Sequence, residues 1–194
     1  MNVTVMNEAG YEEAMFGLGL CKKLTSEYSN WNQVPVETQE RIKNVAVKLF
    51  DKDMGHNKFL ESMTVWLDIN APIYFWQHFD TYRVGVTKNS ESKMHTLMRL
   101  PISQSNFEGE DIPEATLNRL NELRSNGEFD KCMNELPQSY LQRRIVATNY
   151  KTLRNIINQR NYEKLGLWRT FNDAIIPQLK YQEFIVDLKK VRNK

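Results

Sequence analysis

The chain has 194 residues, 41% of them hydrophobic and 11% aromatic, which is enough for one full hydrophobic core, so we expect a single domain over residues 1–194. Its 26 basic and 24 acidic side chains leave a formal net charge of +2, which argues against nucleic acid or an acidic membrane as the main partner. The two cysteines, Cys21 and Cys132, lack the spacing of a zinc site or a disulfide framework. No leader pattern opens the chain and no stretch approaches the ~20 apolar residues of a membrane span, so we expect a soluble, cytoplasmic protein.

Hydrophobic periodicity predicts three strands and seven helices. In chain order they are a strand at 2–7, helices at 10–24 and 34–50, a strand at 63–70, helices at 71–79 and 113–126, a strand at 143–148, and helices at 150–160, 162–176 and about 181–194. The last of these is basic and amphipathic. The pattern contains more helix than strand and no internal repeat, so it predicts an α+β fold with a mixed sheet and flanking helices.

Several element boundaries carry specific signals. Pro72 and Pro113 stand at the starts of two predicted helices, where proline is favoured. Asn149 is placed to cap the helix that follows it, and Pro177 ends the helix before it. These positions make the predicted boundaries more secure than periodicity alone would.

A polar stretch runs from Asp80 to His95, between the aromatic helix and the next apolar segment. It is longer than most connections in a compact domain, and it contains no proline and only one glycine. Two interpretations remain open: an ordinary surface connection, or a loop built to hold a ligand.

Common enzyme motifs are absent from the sequence. There is no dinucleotide-binding glycine motif, phosphate loop, zinc-protease motif or nucleophile elbow. No two of the three histidines, His56, His78 and His95, are four residues apart, so we expect no metal site. Nothing resembles an activated cysteine or serine, and we assign no catalytic residue.

Four short segments occur in an order that is informative as a set. They are GHNKFLES at 55–62, the stretch from Asn70 to Arg83, LPQSY at 136–140, and ATNYKTLRNIINQR at 147–160. Their order resembles that of the flavin-dependent thymidylate synthases, which carry G-H-x-[ST]-x-x-E, then R-H-R-x-x-S-x-N-E-x-S-x-R-Y, then A-R-x-x-L-P, then an N-x-R-x-L helix ending in L-R. The resemblance covers roughly residues 55–160.

The resemblance implies a group of flavin-binding residues, namely His56, Glu61, Tyr82, Arg83, Asn149 and Lys151. The match is uneven. Lys58 stands where the family has Ser or Thr, and Thr81 and Tyr82 replace the first two members of R-H-R. Lys151 replaces the arginine of the N-x-R motif, which keeps the charge but loses the two-pronged geometry of a guanidinium.

The resemblance also implies a group of substrate-binding residues, namely His78, Ser90, Ser92, Lys93 and Arg160. Met133 occupies the arginine position before Leu136, and Met94 and His95 stand where the family has Arg-Tyr. Arg160 keeps the arginine at the end of the last helix. Lys93 or Arg99 could supply the positive charge that the other positions have lost.

The activity implied by this resemblance is transfer of a one-carbon unit from methylenetetrahydrofolate to C5 of dUMP, with reduction through FAD and NADPH. The family also implies a homo-oligomer, a tetramer by expectation, with active sites where subunits meet; the segment IYFWQHF carries more aromatic rings than one small domain readily buries. The alternatives are a hydroxymethylating enzyme, a non-catalytic nucleotide-binding relative that has lost flavin, and a structural or interaction protein. A compact chain with a diverged site would suit a phage or mobile element.

Overall fold

The computed structural model describes residues 1–52, 54–109 and 111–186. At its centre is a sheet of four strands in the order β1-β2-β4-β3, and each neighbouring pair is antiparallel. The strands are β1 Asn2–Ala9, β2 Thr64–Pro72, β3 Thr87–Ser90 and β4 Leu141–Asn149. The helices are α1 Tyr11–Leu20, α2 Val36–Leu49, α3 Ile73–Phe79, α4 Lys93–Thr96, α5 Glu114–Ser125, α6 Phe129–Glu135, α7 Tyr150–Arg160 and α8 Leu167–Ile175. The predicted α+β class is confirmed.

The central strand β2 shows the predicted alternation. Val65, Leu67 and Ile69 are fully buried against the main core, while Trp66 and Asp68 between them are only partly covered. Because β2 pairs with β4 along its whole length and with β1 over residues 64–70, its buried face fixes the position of these strands.

The aromatic helix α3 is buried within the single chain. Phe75, Trp76 and Phe79 are at most 1% exposed. Phe75 and Phe79 pack against Trp168 and Phe171 of α8, and Trp76 packs against Phe75 and Phe79. The expectation that these rings exceed what one domain buries is therefore wrong, because α8 packs over them. These three rings do not support an oligomer.

The sequence analysis treats the segment from Asp80 to His95 as a loop, but the structure shows that it is only partly irregular. It contains β3 and the start of α4. The strand has the sequence TKNS, with no hydrophobic alternation, and it forms because its backbone pairs with the edge of β4. The short helix α6 was also missed; its Cys132 packs in a second, smaller core with Leu120 and Leu136.

The predicted helix boundaries agree with the structure at three places. Pro72 and Pro113 directly precede α3 and α5, and the Asn149 side chain accepts a hydrogen bond from the Thr152 amide at 2.9 Å at the start of α7. Of the predicted C-terminal helix at about 181–194, the described part holds only a 3-10 turn at Gln182–Phe184, and residues 187–194 lie outside the described residues. Within the described ranges, no helix is long and apolar enough to cross a membrane.

Candidate functional site

A cleft of about 470 Å³ lies where the segment after α3 faces one side of α7 and the segment leading into β2. Its lining residues are Glu61, Thr81, Tyr82, Arg83, Val84, Gly85, Asn149, Lys151, Thr152, Asn155 and Gln159. Three segments that are distant in sequence therefore contribute to one concave surface, as is usual for ligand sites.

The cleft brings together five of the six residues predicted to bind a cofactor, namely Glu61, Tyr82, Arg83, Asn149 and Lys151. The sixth, His56, is exposed and does not line the cleft. The geometry thus groups residues that are up to 90 positions apart.

One face of α7 forms a polar wall of the cleft. Lys151, Asn155 and Gln159 follow one another at intervals of four residues and therefore lie on the same side of the helix. The opposite side carries Leu153 and Ile156, which are fully buried. Asn155 and Gln159 were not singled out from the sequence, although this four-residue polar spacing opposite an apolar face is a signal that could have identified them.

Gly85 allows the loop to approach α7 closely. Its φ of +69° lies in the left-handed region, and a Cβ there would fall 2.6 Å from the Thr152 hydroxyl oxygen and 2.9 Å from the Asn149 amide nitrogen. The Thr148 hydroxyl donates to the Gly85 carbonyl at 2.9 Å. The loop is therefore bonded to β4 and approaches α7 at a distance that only glycine permits.

Two of the charged residues in the cleft already form a pair. Lys151 Nζ donates to Glu61 Oε1 at 2.5 Å. Arg83 is exposed and makes no ion pair with any other residue in the described ranges. Arg83 is therefore the cation that is most available to an anionic ligand.

Arg160 lies behind the cleft wall and does not line it. Its Nε donates to the Tyr82 hydroxyl at 2.8 Å, and its Nη1 pairs with Glu163 at 2.5 Å. Its guanidinium lies over the rings of Trp168 and Tyr82, at 5.1 and 5.4 Å from their centroids, and only 16% of its side chain is exposed. It is thus a partly buried group that supports Tyr82, in contrast to the surface cation that its position at a helix end suggests.

The other predicted substrate-binding residues lie outside the cleft. Ser90 ends β3, Ser92 precedes α4, and Lys93 is half-buried in that helix. Burial, and next the charge of Arg144, hold the pKa of Lys93 below its usual value. His78 is exposed in the last turn of α3. A single chain therefore does not place these residues and the cleft residues in one pocket.

A second cleft, of about 430 Å³, lies beside α4. Arg99, Glu91 and Tyr140 contribute its polar groups, and Leu97 and Ile102 contribute apolar surface. Burial, followed by the charge of Glu91, raises the pKa of the Tyr140 phenol. Among the described residues, no group of His, Cys, Asp and Glu side chains could hold a metal ion.

The chain as a whole has the fold of the flavin-dependent thymidylate synthases. Two crystal structures of the flavin-dependent thymidylate synthase ThyX from Helicobacter pylori, each with FAD and dUMP, match with TM-scores of 0.74 and 0.75 at 17% sequence identity, over 96% of this chain and 99% and 98% of theirs. The UMP/dUMP methylase PolB from Streptomyces cacaoi, bound to 5-Br dUMP, matches with a TM-score of 0.67 at 11% identity, over 91% of this chain and 88% of that one. No family model and no curated protein sequence matches the chain. The resemblance inferred from the ordered motifs is confirmed for the fold.

Proposed function

We propose that this protein transfers a one-carbon unit to C5 of a pyrimidine deoxynucleoside monophosphate, with dUMP as the substrate and FAD as the cofactor. The observation that carries the proposal is the single cleft lined by Glu61, Tyr82, Arg83, Asn149 and Lys151, the residues that the motif order had assigned to a flavin. The fold supports it, since structural neighbours hold FAD and dUMP.

The cleft residues fit a flavin dinucleotide in their chemistry. Arg83 makes no ion pair with another described residue, so its guanidinium suits a diphosphate, and Tyr82 offers an aromatic ring in the same cleft. Because Gly85 approaches α7 closely, the loop stays near this helix beside the cleft in which a cofactor would lie. A bound flavin would supply hydride to the transferred one-carbon group.

The protein's own part is positioning. The Asn149 side chain is fixed by its cap to Thr152, and Lys151 is held by Glu61, so these groups are oriented before a ligand arrives. We assign no nucleophile among the described residues, and the proposed chemistry proceeds between bound rings. Methylenetetrahydrofolate and NADPH are the cosubstrates of this proposal.

We place the nucleotide at a second group of residues, namely His78, Ser90, Ser92, Lys93 and Arg160. Because this group does not share a pocket with the cleft in one chain, the proposal includes a homo-oligomer, a tetramer, in which neighbouring subunits complete each site. Light scattering tests this part: a monomer at micromolar concentration would contradict a shared site.

A second candidate function, nucleotide binding without flavin, is favoured by the charges of the cleft. Lys151 is already neutralised by Glu61, and Thr81 lines the cleft where the resembled family has an arginine. A cofactor diphosphate would then depend mainly on Arg83. The aromatic helix α3 no longer favours an interaction protein, since its large rings are buried.

The visible absorption spectrum of the purified protein, before and after incubation with FAD, separates the two candidates. We expect a flavin band that stays with the protein through gel filtration, and that is lost in Arg83→Gln but kept in Arg169→Gln, a substitution on an exposed position of α8. A colourless protein that takes up no FAD but binds dUMP supports the second candidate. A protein that binds neither overturns both.

A further inference from the structure

Tyr150 is the first residue of α7 and stands between two residues of the cleft. Asn149 and Lys151 line the cleft on either side of it in the sequence, whereas Tyr150 itself does not line it. Tyr150 is only 1% exposed and belongs to the main hydrophobic core. The directions in which Asn149 and Lys151 project therefore depend on what holds Tyr150 in the core.

The hydroxyl of Tyr150 is bonded to two segments that lie far from it in the sequence. It donates to Glu8 Oε1 in β1, and it accepts the N–H of Tyr181 at 3.1 Å. The two carboxylate oxygens of Glu8 also accept the N–H of Lys180, at 3.2 and 3.1 Å. The ring of Tyr181 is stacked on that of Tyr11, with 4.0 Å between the centroids. Glu8 is thus held by the chain at residues 180–181 while it holds Tyr150.

The Tyr150 phenol is kept in its protonated form. Burial, followed by the hydrogen bond to Glu8, raises its pKa above the usual value. A hydrogen bond from a phenol to a carboxylate is charge-assisted and stronger than one between neutral groups. The bond is therefore suited to fixing the orientation of the Tyr150 side chain.

The first turn of α7 is also tied to the segment that leads into β2. The Tyr150 N–H donates to the Met63 carbonyl at 2.9 Å, and the Lys151 ammonium donates to Glu61 at 2.5 Å. Successive residues of a helix project about 100° apart, so the Tyr150 hydroxyl is held on a different side of α7 from Lys151. The bond to Glu8 therefore restricts rotation of the first turn about the helix axis.

We propose that Tyr150 and Glu8 are positioning residues of the cleft, which fix the rotation of the first turn of α7 and thereby direct Asn149 and Lys151 at a bound cofactor. Neither of them lines the cleft, and Glu8 lies outside all four ordered segments of the sequence. The inference rests on the proposed function for the identity of the cofactor, FAD. It makes the affinity of the cleft depend on β1 and on residues 180–181, which do not line it.

A fluorescence titration with FAD tests the proposal, because Tyr150→Phe removes the hydroxyl and keeps the ring. We expect Tyr150→Phe and Glu8→Ala each to weaken FAD binding by about three- to tenfold, since loss of the bond misplaces the two cleft residues. Glu8→Gln keeps an acceptor oxygen for the Tyr150 hydroxyl and should stay within about twofold of the wild type. The double variant of Tyr150→Phe and Glu8→Ala should lose no more than Glu8→Ala alone, because both changes remove the same bond.

Tyr28→Phe is the matched control. The Tyr28 ring packs against the main core, and its hydroxyl makes no hydrogen bond with another described residue, so FAD affinity should not change. Equal affinities in Tyr150→Phe and Tyr28→Phe would overturn the proposal. So would a loss in Glu8→Gln as large as in Glu8→Ala, or additive losses in the double variant.

Hydrogen exchange in the free protein separates a positioning role from a general loss of stability, and it decides the inference even if the wild type binds no FAD and the proposed function fails. The Thr152 N–H is bonded to the Asn149 side chain at 2.9 Å, so its exchange rate reports the order of the first turn of α7. In Tyr150→Phe we expect this amide to exchange about three- to tenfold faster, and the Leu123 amide of α5, in the smaller core, to change less. An equal increase at both amides, or no increase at Thr152, would contradict a positioning role.

Discussion

Arg160, at the end of α7, donates through Nε to the hydroxyl of Tyr82, which is 2.8 Å away and 78 residues earlier in the chain. That hydroxyl donates in turn to Gln159 Oε1 at 3.1 Å. The aromatic wall of the cleft is therefore fixed from behind by the same helix that provides its polar side. The loop after α3 cannot move away from α7 without breaking both bonds.

We expect Arg160→Ala to lower the free energy of unfolding by about 2 kcal/mol, well above the ~0.3 to 1 kcal/mol of an exposed cation at a helix end. The substitution removes the bond to Tyr82 and the contact with the Trp168 ring, and it leaves Glu163 unpaired. Urea unfolding followed by tryptophan fluorescence measures the loss. Arg169→Ala, on an exposed position of α8, is the control and should change little; equal effects would mean that the Arg160 contacts contribute no net stability.

Gly85→Ala should be destabilising by about 1 to 3 kcal/mol, because alanine at this φ is strained and its Cβ would meet Thr152 and Asn149. Ligand binding in the cleft should weaken with it, since the loop has to move away from α7. Gly17→Ala is the matched control: Gly17 lies inside α1 with open space around it, and alanine there should be neutral or stabilising by up to about 1 kcal/mol. Thermal unfolding of the two variants measures the difference in stability. An unchanged unfolding temperature in Gly85→Ala would show that the loop can move away from α7 without loss of stability.

FAD affinity should depend more on Arg83 than on Lys151. Arg83 has no ion-pair partner within the described part of the chain, whereas Lys151 is paired with Glu61 at 2.5 Å. We expect about tenfold weaker FAD binding in Arg83→Gln, and a smaller change in Lys151→Gln, because a ligand must first compete with Glu61. A fluorescence titration with FAD measures both, and a larger effect from Lys151→Gln would show that the Glu61 pair opens on binding.

The ion pairs of Asp80 predict an acid dependence of stability. Burial acts to raise the pKa of Asp80, but the hydrogen bonds from Lys88 and Arg144 outweigh it and hold this pKa below its usual value. A carboxyl group with a lowered pKa in the folded state stabilises the fold above its unfolded pKa of ~3.9, and this contribution disappears as the pH falls through the lower, folded value. Since the Asp80 side chain is 44% exposed, the effect should be about 1 kcal/mol or less.

The comparison of wild type with Asp80→Asn isolates this contribution. At pH 7 the variant should be the less stable of the two, and the difference should shrink between about pH 4 and pH 2. Urea unfolding at a series of pH values measures it. A difference that is constant across this range would assign the effect to the shape of the side chain and not to its charge.

The elements that could be predicted from the sequence are those whose pattern depends on burial or on a local cap. β2 alternates because one face meets the core, and α7 begins at Asn149 because that side chain satisfies a backbone amide three residues later. β3 could not be predicted in this way, since TKNS has no apolar face and depends on pairing with β4. The ion pair of Arg144 with Asp80 could not be predicted for a related reason, because the two residues are 64 positions apart in the sequence.

Within the cleft, the motif order identified residues but not their state of pairing. The sequence places Glu61 and Lys151 in separate motifs, and only the fold shows that they neutralise each other. The burial of Arg160 could not be predicted, because its position at the end of α7 says nothing of the rings of Tyr82 and Trp168 that cover it. Charge neutralisation between distant segments is a property of the three-dimensional arrangement, which local spacing does not encode.

The adjacent arginines of β4 also bear on how the chain folds. Arg143 and Arg144 point to opposite faces, each towards its own carboxylate, Asp68 or Asp80. A slip of β4 by one residue would exchange the two faces and turn Arg143 inwards, away from Asp68. Such a slip would break the Arg143–Asp68 pair, the Arg144–Asp80 pair and the contact of Arg144 with the Trp76 ring together, so the two arginines favour the native register before any ligand is present.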